Sequence, residues 1–412
     1  MTEFDAPSGL LLLAARGGDP RERRIAQRVR LMALRGLLAA APAAAGRAAS
    51  AQIKKLQGQW SELAARRGEA LLQAIGVPEL EGPLLCLDRG VGAPEGLWAS
   101  IVPTLLLQLS RRGLAEEGML WEAPACTPVL IDEGVALEAE AGIVGLSVDP
   151  SGPSVRLGDG AICGLADPRI RRRQVHWGIA GGARLSIYDA NPIANAEEHP
   201  EKTGNAISFG GRDVGVWLGE LRSAAGLLDT GLPGWREDAG ARAERLMPVG
   251  WEPERHLSAS YRELPGQLYL TLHPSTLTLA EAWVHEAQHG RLNRLLLLDP
   301  ALKNGRSTWT PSPVRPDLRP LIGVLLAVHA FVPVAAMHRR LSTLGHPLIS
   351  SPEGQARRAL VLRSNAHGLQ ILAELGDWTA AGAQLFADLR ALHAWSAVDT
   401  GAEIGDINGL PA

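Results

Sequence analysis

The sequence His-Glu-Ala-Gln-His at residues 285–289 constrains the fold of this chain more than any other feature. Side chains four residues apart on a helix point the same way, one turn apart, so His285 and His289 can bind a single metal ion together. Glu286 would then lie beside the ion, a position suited to orienting a ligand or to moving a proton. The motif therefore predicts a helix that carries a metal site.

The residues around the motif predict that its helix is buried. Leucine, alanine, tryptophan and valine dominate residues 277–284. Ser275 or Thr276 can cap the start of the helix. No proline or glycine interrupts residues 275–289, and Pro300 ends the helix. Because burial of the polar motif side chains is costly unless they are satisfied, a metal ion with water or substrate would explain their presence.

A catalytic metal site of this kind needs a third protein ligand. Zinc peptidases with a glutamate ligand carry it some tens of residues after the motif, but no glutamate occurs between His289 and Glu353. The extended metzincin pattern is also absent, because Leu292 and Leu295 occupy the positions where it has glycine and histidine. The third ligand must therefore be sought elsewhere.

Two residues are candidates for that ligand. Asp299 lies at the helix end, about 15 Å along the axis from the second motif histidine if the helix is unbroken, so it needs a break at Gly290 to reach the site. His329 is the single polar residue in the segment 321–332, which is predicted to be a core helix. It is either a ligand or a core histidine satisfied by hydrogen bonds. The sequence leaves both candidates open.

A further histidine, His338, follows His329 by nine residues, which on a helix is half a turn out of phase. Two arginines come directly after His338, so we expect it at an exposed helix end.

Three protein ligands with open positions would suit iron(II) as well as zinc.

Residues 312–320 form a proline-rich connection that contains two arginines. Arg315 and Arg319 are each followed by proline, which keeps the loop stiff and non-helical. An arginine held on a rigid loop near a metal can bind a carboxylate through two hydrogen bonds. The alternative is a surface loop whose arginines are solvated.

The motif and this loop belong to a series of stretches along the chain: Leu257–Ser260, Pro265–Leu270, Leu279–His289, Ser312–Leu321 and Gly323–Val334. The series resembles the HExxH-motif proteins encoded with ribosomally made peptide natural products, a family of iron(II)- and 2-oxoglutarate-dependent peptide β-hydroxylases. It covers roughly residues 185–345, with fainter matches at Asp189–Pro192 and Trp217. Val314 and Leu326 depart from the family, which tends to have tryptophan and histidine there.

The resemblance implies a reaction and its cofactors. Iron(II) would be bound by His285, His289 and His329, and 2-oxoglutarate would chelate it. The distal carboxylate of 2-oxoglutarate would bind Arg315 or Arg319. The substrate would be a ribosomally made precursor peptide, hydroxylated at a side-chain β-carbon.

Two other functions compete with this one. In the implied hydroxylase, Glu286 orients a ligand or a bound water, whereas a zinc-dependent HExxH metallopeptidase or hydrolase would use it as general base. A peptide-binding protein with a structural metal would have no open coordination position and little use for Arg315 and Arg319.

The length and patterning of the chain predict its architecture. Its 412 residues can bury a large core in one or two domains. Helical patterns dominate residues 1–128, and strand patterns begin at Val129, so residues 129–412 are expected to be a mixed region with the metal site. Both regions could also form one continuous domain. The expected fold class is α+β, mainly helical, with a smaller antiparallel sheet in the middle of the chain and a buried HExxH helix.

Composition and termini favour a cytoplasmic protein. The net charge of −3 and the 21% of charged residues do not indicate nucleic acid or an anionic membrane as partner. The N-terminus is acidic and lacks the positive start of a signal peptide, and the apolar run at residues 10–15 is far too short to span a bilayer. The three cysteines are widely spaced and form no metal or redox motif, which suggests reduced thiols. No expectation follows for the oligomeric state.

Overall fold

The computed structural model describes residues 4–13, 19–42, 47–122, 127–194, 205–236, 244–311 and 317–398. Helices dominate these residues, and most strands lie between residues 119 and 272. The predicted α+β class, mainly helical, is therefore confirmed. Of the cysteines, Cys86 and Cys163 are free and buried, and Cys126 lies outside the described residues.

The helices fall before and after residue 275. The earlier ones are α1 (Pro20–Ala39), α2 (Arg47–Ile75), α3 (Pro78–Arg89), α4 (Pro94–Arg111) and α5 (Val214–Gly231). The later ones are α6 (Thr276–Leu296), α7 (Leu321–Thr343), α8 (Pro347–Ser350), α9 (Pro352–Leu375) and α10 (Ala380–Ala397). Ser275, Ser351 and Thr379 cap α6, α9 and α10, because each side-chain oxygen accepts a hydrogen bond from a backbone N–H three residues later.

The strands are divided among several small sheets. They are β1 (Met119–Glu122), β2 (Val129–Leu130), β3 (Val135–Glu138), β4 (Ile143–Asp149), β5 (Gly152–Leu157), β6 (Ile162–Gly164), β7 (Arg171–Gln174), β8 (His176–Gly178), β9 (Arg184–Ser186), β10 (Arg245–Trp251), β11 (Ser258–Ser260), β12 (Gln267–Leu272), β13 (Trp309–Pro311) and β14 (Leu318–Pro320). The sheets β1-β4-β5-β6, β2-β3-β7 and β13-β14 are antiparallel. The sheet β11-β12-β10-β9-β8 is mixed, because β10 runs parallel to both β9 and β12.

The chain divides into two compact units, each drawn from separate stretches of sequence. One combines Arg23–Arg222 with Ala239–Pro274 and holds α2 to α4 and β1 to β12. The other combines Met1–Glu22, Ser223–Asp238 and Ser275–Ala412 and holds α6 to α10. The boundary expected between residues 128 and 129 is not a boundary of either unit, because both residues lie within Arg23–Arg222.

In the unit that holds the motif, α7 is the central helix, and α6, α9 and α10 each pack against it. By length and composition, α7 is apolar enough to cross a membrane. An 18-residue stretch of it has a mean hydropathy of 2.0, and 72% of that stretch is buried. The bent pair α2 and α3, which turns by 112°, passes the same test only when both helices are counted as one span. Core helices of soluble proteins are also this apolar, and the burial of α7 fits such a helix.

The apolar N-terminal segment, residues 10–13, forms a buried turn in the same unit. All four leucines are at most 4% exposed. The Leu10 N–H donates to Asp388 Oδ2 at 2.8 Å, and the Leu11 N–H donates to Glu22 Oε1 at 2.9 Å. These hydrogen bonds satisfy backbone groups that would otherwise be buried without partners.

Candidate metal site

The motif lies in α6, which continues through Gly290 without a break. The Nε2 atoms of His285 and His289 are 2.9 Å apart, and the two rings are nearly perpendicular. Two nitrogen ligands about 2.1 Å from one ion would be about 3.0 Å apart at a right angle and about 3.4 Å apart in a tetrahedron. The separation therefore fits two neighbouring positions around one ion, and it equally fits a hydrogen bond between two neutral rings.

Both motif histidines are held in the neutral form. Burial, assisted by the nearby His289, lowers the pKa of His285 to about 3. Burial also lowers the pKa of His289. Because a metal binds neutral imidazole, the folded chain presents the pair in the form that can ligate an ion.

The two motif histidines and a stripe of residues on α7 are partly exposed. Most of α6 is buried, but His285 and His289 keep an exposed edge. On α7, Gly323, Ala327 and Phe331 are spaced four residues apart and are also partly exposed. The Phe331 ring packs against the His285 ring, with 4.6 Å between their centroids. The pair is therefore accessible and is bounded on one side by an apolar wall.

Of the other two polar side chains of the motif, Glu286 lies beside the histidine pair and Gln288 faces the N-terminal segment. Glu286 is 3% exposed, and its charge raises the pKa of both histidines against the effect of burial, so it lies beside the pair. The Gln288 Nε2 donates to the carbonyls of Leu11 and Leu12 at 3.2 and 3.3 Å. The Arg291 Nη1 donates to the Leu12 carbonyl at 2.6 Å and to Gln288 Oε1 at 3.0 Å. Gln288 therefore holds the N-terminal segment against α6.

His329 is fully buried in α7 near the motif histidines, without joining them in a three-residue group. Burial lowers its pKa to about 3, and the charges of His289 and Arg291 add to this effect. The backbones of Leu11 and Gln288 face the ring, but neither ring nitrogen makes a well-formed hydrogen bond. Among the residues that the structure describes, no three His, Cys, Asp or Glu side chains come together as a metal site.

Asp299, the other candidate for the third ligand, is not at the site. Because α6 is continuous to Leu296, the helix end is about 10 Å along the axis from His289, and Asp299 follows beyond that end. Its Oδ1 accepts hydrogen bonds from the Ala301 N–H and the Thr379 hydroxyl, both at 2.7 Å. Asp299 thus organises the turn after α6, and the break that would have brought it to the metal does not occur.

A buried carboxylate that the sequence analysis did not single out lies one turn before His285. Glu281 Oε1 is 2.8 Å from His338 Nε2, and Glu281 Oε2 accepts hydrogen bonds from Arg357 Nε at 2.8 Å and Nη2 at 2.5 Å. Burial raises the pKa of Glu281, but its two partners outweigh burial and the pKa is lowered. The expectation that His338 is exposed is wrong, because it is fully buried against Glu281. The four-residue spacing of Glu281 from His285 was the signal that could have found this group.

Of the two arginines expected to bind a carboxylate, only Arg319 lies among the described residues, and it is not at the histidine pair. Arg315 lies outside the described residues. Arg319 lies in β14, and its Nε is 2.9 Å from Asp317 Oδ2. Because α7 begins two residues after Arg319, the Phe331 ring that contacts His285 is about 15 Å further along the helix axis.

Comparison of the chain with models of known protein families gave no match, and comparison with curated proteins gave none either. The function must therefore be inferred from the site itself. Two neutral, partly accessible imidazoles with facing nitrogens fit two positions of a metal ion.

Proposed function

We propose that this protein is an iron(II)- and 2-oxoglutarate-dependent dioxygenase that hydroxylates a side-chain β-carbon in a ribosomally made precursor peptide. The observation that carries the proposal is the pair His285 and His289, both neutral and partly exposed, with Nε2 atoms 2.9 Å apart. The resemblance of the motif and of residues 312–321 to peptide β-hydroxylases supports this choice of reaction. A small number of protein ligands leaves positions open for a cosubstrate and dioxygen.

The chain's residues would bind the cofactor and control its surroundings. His285 and His289 would hold the ion, and His329, whose ring nitrogens lack well-formed hydrogen bonds, is the proposed third ligand. When bound, iron(II) and 2-oxoglutarate supply the oxidising chemistry. Phe331 excludes water from one side of His285, and the buried Glu286 orients a ligand or a bound water.

The proposal includes a location and a partner. A ribosomally made precursor peptide is available where it is synthesised, so we propose that the protein is cytoplasmic and that this peptide is its partner. In α7, 72% of the apolar 18-residue stretch is buried, which supports a role for this helix in the core.

Metal binding tests the proposal directly. Metal-free protein is titrated with iron(II) under anaerobic conditions, and the bound iron is counted per chain. We expect one ion per chain in the wild type and loss of binding in His285→Ala and in His289→Ala. The exposed His367 supplies a matched control, His367→Ala, which should bind iron as the wild type does. Oxygen, 2-oxoglutarate and the precursor peptide are then added, and succinate formation is measured.

Other results would change the assignment. Tight stoichiometric zinc, together with peptide-bond hydrolysis that is lost in Glu286→Gln, would favour a zinc hydrolase. Full iron occupancy in His329→Ala would remove this residue from the ligand set. Iron binding that does not depend on His285 or His289 would contradict the site itself.

A further inference from the structure

Arg357, in the second turn of α9, is fixed close to the histidine pair. Its Nε and Nη2 donate to Glu281 Oε2 at 2.8 and 2.5 Å. Glu281 lies one turn before His285 on the same face of α6. The charge of Arg357 is also near enough to contribute to the lowered pKa of His285. A guanidinium group is therefore held beside the pair by a contact between two helices.

Glu281 does not use all the donors of this guanidinium. The two hydrogen bonds of Arg357 come from Nε and Nη2, so Nη1 has no partner within the described ranges of the chain. The Arg357 side chain is 41% exposed, whereas that of Glu281 is 8% exposed. A guanidinium that is oriented on one edge and accessible on the other can bind a carboxylate in a fixed direction.

The carboxylate of Glu281 is itself held from two sides. His338 of α7 contacts Oε1, and Arg357 of α9 binds Oε2. The carboxylate is buried and held in place, so it restricts the conformations of the Arg357 side chain. Less conformational freedom is therefore lost when Arg357 binds a ligand. Glu281 and His338 therefore act as positioning residues for Arg357.

We propose that Arg357 binds the distal carboxylate of 2-oxoglutarate, an inference that rests on the proposed function. The rise from Glu281 to His285 is about 6 Å along α6. This rise is comparable to the length of the 2-oxoglutarate chain from its keto group to its distal carboxylate. The start of α7, next to Arg319, is by contrast about 15 Å along the helix axis from Phe331. The site would thus select 2-oxo acids that end in a second carboxylate.

The test compares two 2-oxo acids that differ at one end. Isothermal titration calorimetry measures the binding of 2-oxoglutarate and of 2-oxopentanoate, which ends in a methyl group, to the manganese(II)-loaded protein without oxygen. We expect the wild type to prefer 2-oxoglutarate by about 10- to 100-fold, the worth of a charge-assisted hydrogen-bond pair. Arg357→Gln should lose that preference and bind 2-oxopentanoate as the wild type does. Arg319→Gln is the matched control and should keep it.

Each other result has a defined meaning. If Arg357→Gln keeps the full preference, or if Arg319→Gln loses it, the inference is wrong and the proposed function stands. If the wild type binds neither acid, the proposed function fails, and the inference fails with it. Should Arg357→Gln not fold, the double variant Glu281→Gln with Arg357→Gln leaves no unpaired buried carboxylate and decides the same question.

Discussion

At the scale of single residues, Gln288 joins the motif helix α6 to the N-terminal segment. It is fully buried, and its amide donates to two backbone carbonyls, those of Leu11 and Leu12. Gln288→Leu would keep the volume but remove both donors, and the carbonyls would lose hydrogen bonds without gaining water. We expect the free energy of unfolding to fall by about 2 kcal/mol.

Urea denaturation of the metal-free protein measures this change. The exposed Gln370, which donates to Glu374 on the surface of α9, provides the control Gln370→Leu, with an expected change below about 0.5 kcal/mol. Equal effects of the two substitutions would show that the Gln288 hydrogen bonds do not stabilise the fold.

Residue spacing predicted one part of the site and could not predict the other. The pairing of His285 with His289 follows from helical periodicity alone. The partners of Gln288 and Glu281 lie far away in sequence, since Leu12 is 276 residues from Gln288 and Arg357 is 76 residues from Glu281. Contacts of this kind depend on how helices pack, and no local pattern encodes them.

At the scale of elements, the junction of α7 with α9 includes a hydrogen bond from a buried asparagine. Asn365 of α9 donates from Nδ2 to the Phe331 carbonyl at 3.0 Å and is only 2% exposed. The hydrogen bond thus ties α9 to the residue whose ring contacts His285.

Asn365→Ala should therefore lower the free energy of unfolding by about 1–2 kcal/mol, through the lost hydrogen bond and the space left by the buried side chain. Thermal denaturation followed by circular dichroism is a suitable measurement. Gln355→Ala changes an exposed amide on the same helix and should leave the melting temperature nearly unchanged. A wild-type melting temperature in Asn365→Ala would show that this junction is held by apolar packing alone.

A second element junction, at the start of α10, requires a glycine. A Cβ at Gly382 would lie 1.9 Å from the Ala301 carbonyl oxygen, whereas a Cβ at Gly226 in α5 would meet nothing within 4 Å. We expect Gly382→Ala to destabilise the protein by more than about 2 kcal/mol, because backbone must move to admit the methyl group. Gly226→Ala should instead stabilise it by up to about 1 kcal/mol, because alanine favours the helix. Chemical denaturation of both variants would reveal the opposite signs, and matching signs would contradict the proposed steric cause.

The elements themselves were largely predictable, but their arrangement was not. The apolar helix around His329 and the helix around the motif follow from uninterrupted local patterns, and both are present as α7 and α6. The strands after Val129 were also expected. Their division into several sheets, and the parallel neighbours of β10, depend on pairings between strands distant in sequence.

At the scale of the whole molecule, each compact unit is discontinuous in sequence. The unit with the motif takes in Met1–Glu22 because residues 10–13 are buried against α6 and because Leu10 binds Asp388 in α10. A division at residue 128 follows composition, which changes there from helical to strand patterns. Composition reports local structure, and it does not report which distant stretches pack together.

The stability of the whole molecule should depend on pH through its buried histidines. Burial lowers the pKa of His176 to about 4, although Glu79, 3.2 Å away, acts in the opposite direction. In the unfolded chain this group titrates near pH 6.5. Between about pH 6.5 and pH 4 the unfolded chain therefore binds a proton that the folded chain does not. Acid must lower the free energy of unfolding across this window, by up to about 1.4 kcal/mol per pH unit for one such histidine.

His176→Gln should flatten the loss of stability on acidification, because it removes one of these protons. Urea denaturation at a series of pH values, with a chelator present so that metal binding does not contribute, measures the slope. His285 and His329, with pKa values lowered to about 3, keep part of the slope in the variant and extend it to lower pH. The exposed His367 gives the control His367→Gln, whose slope should equal that of the wild type. An unchanged slope in His176→Gln would mean that His176 gains its proton in the folded protein as readily as in the unfolded chain.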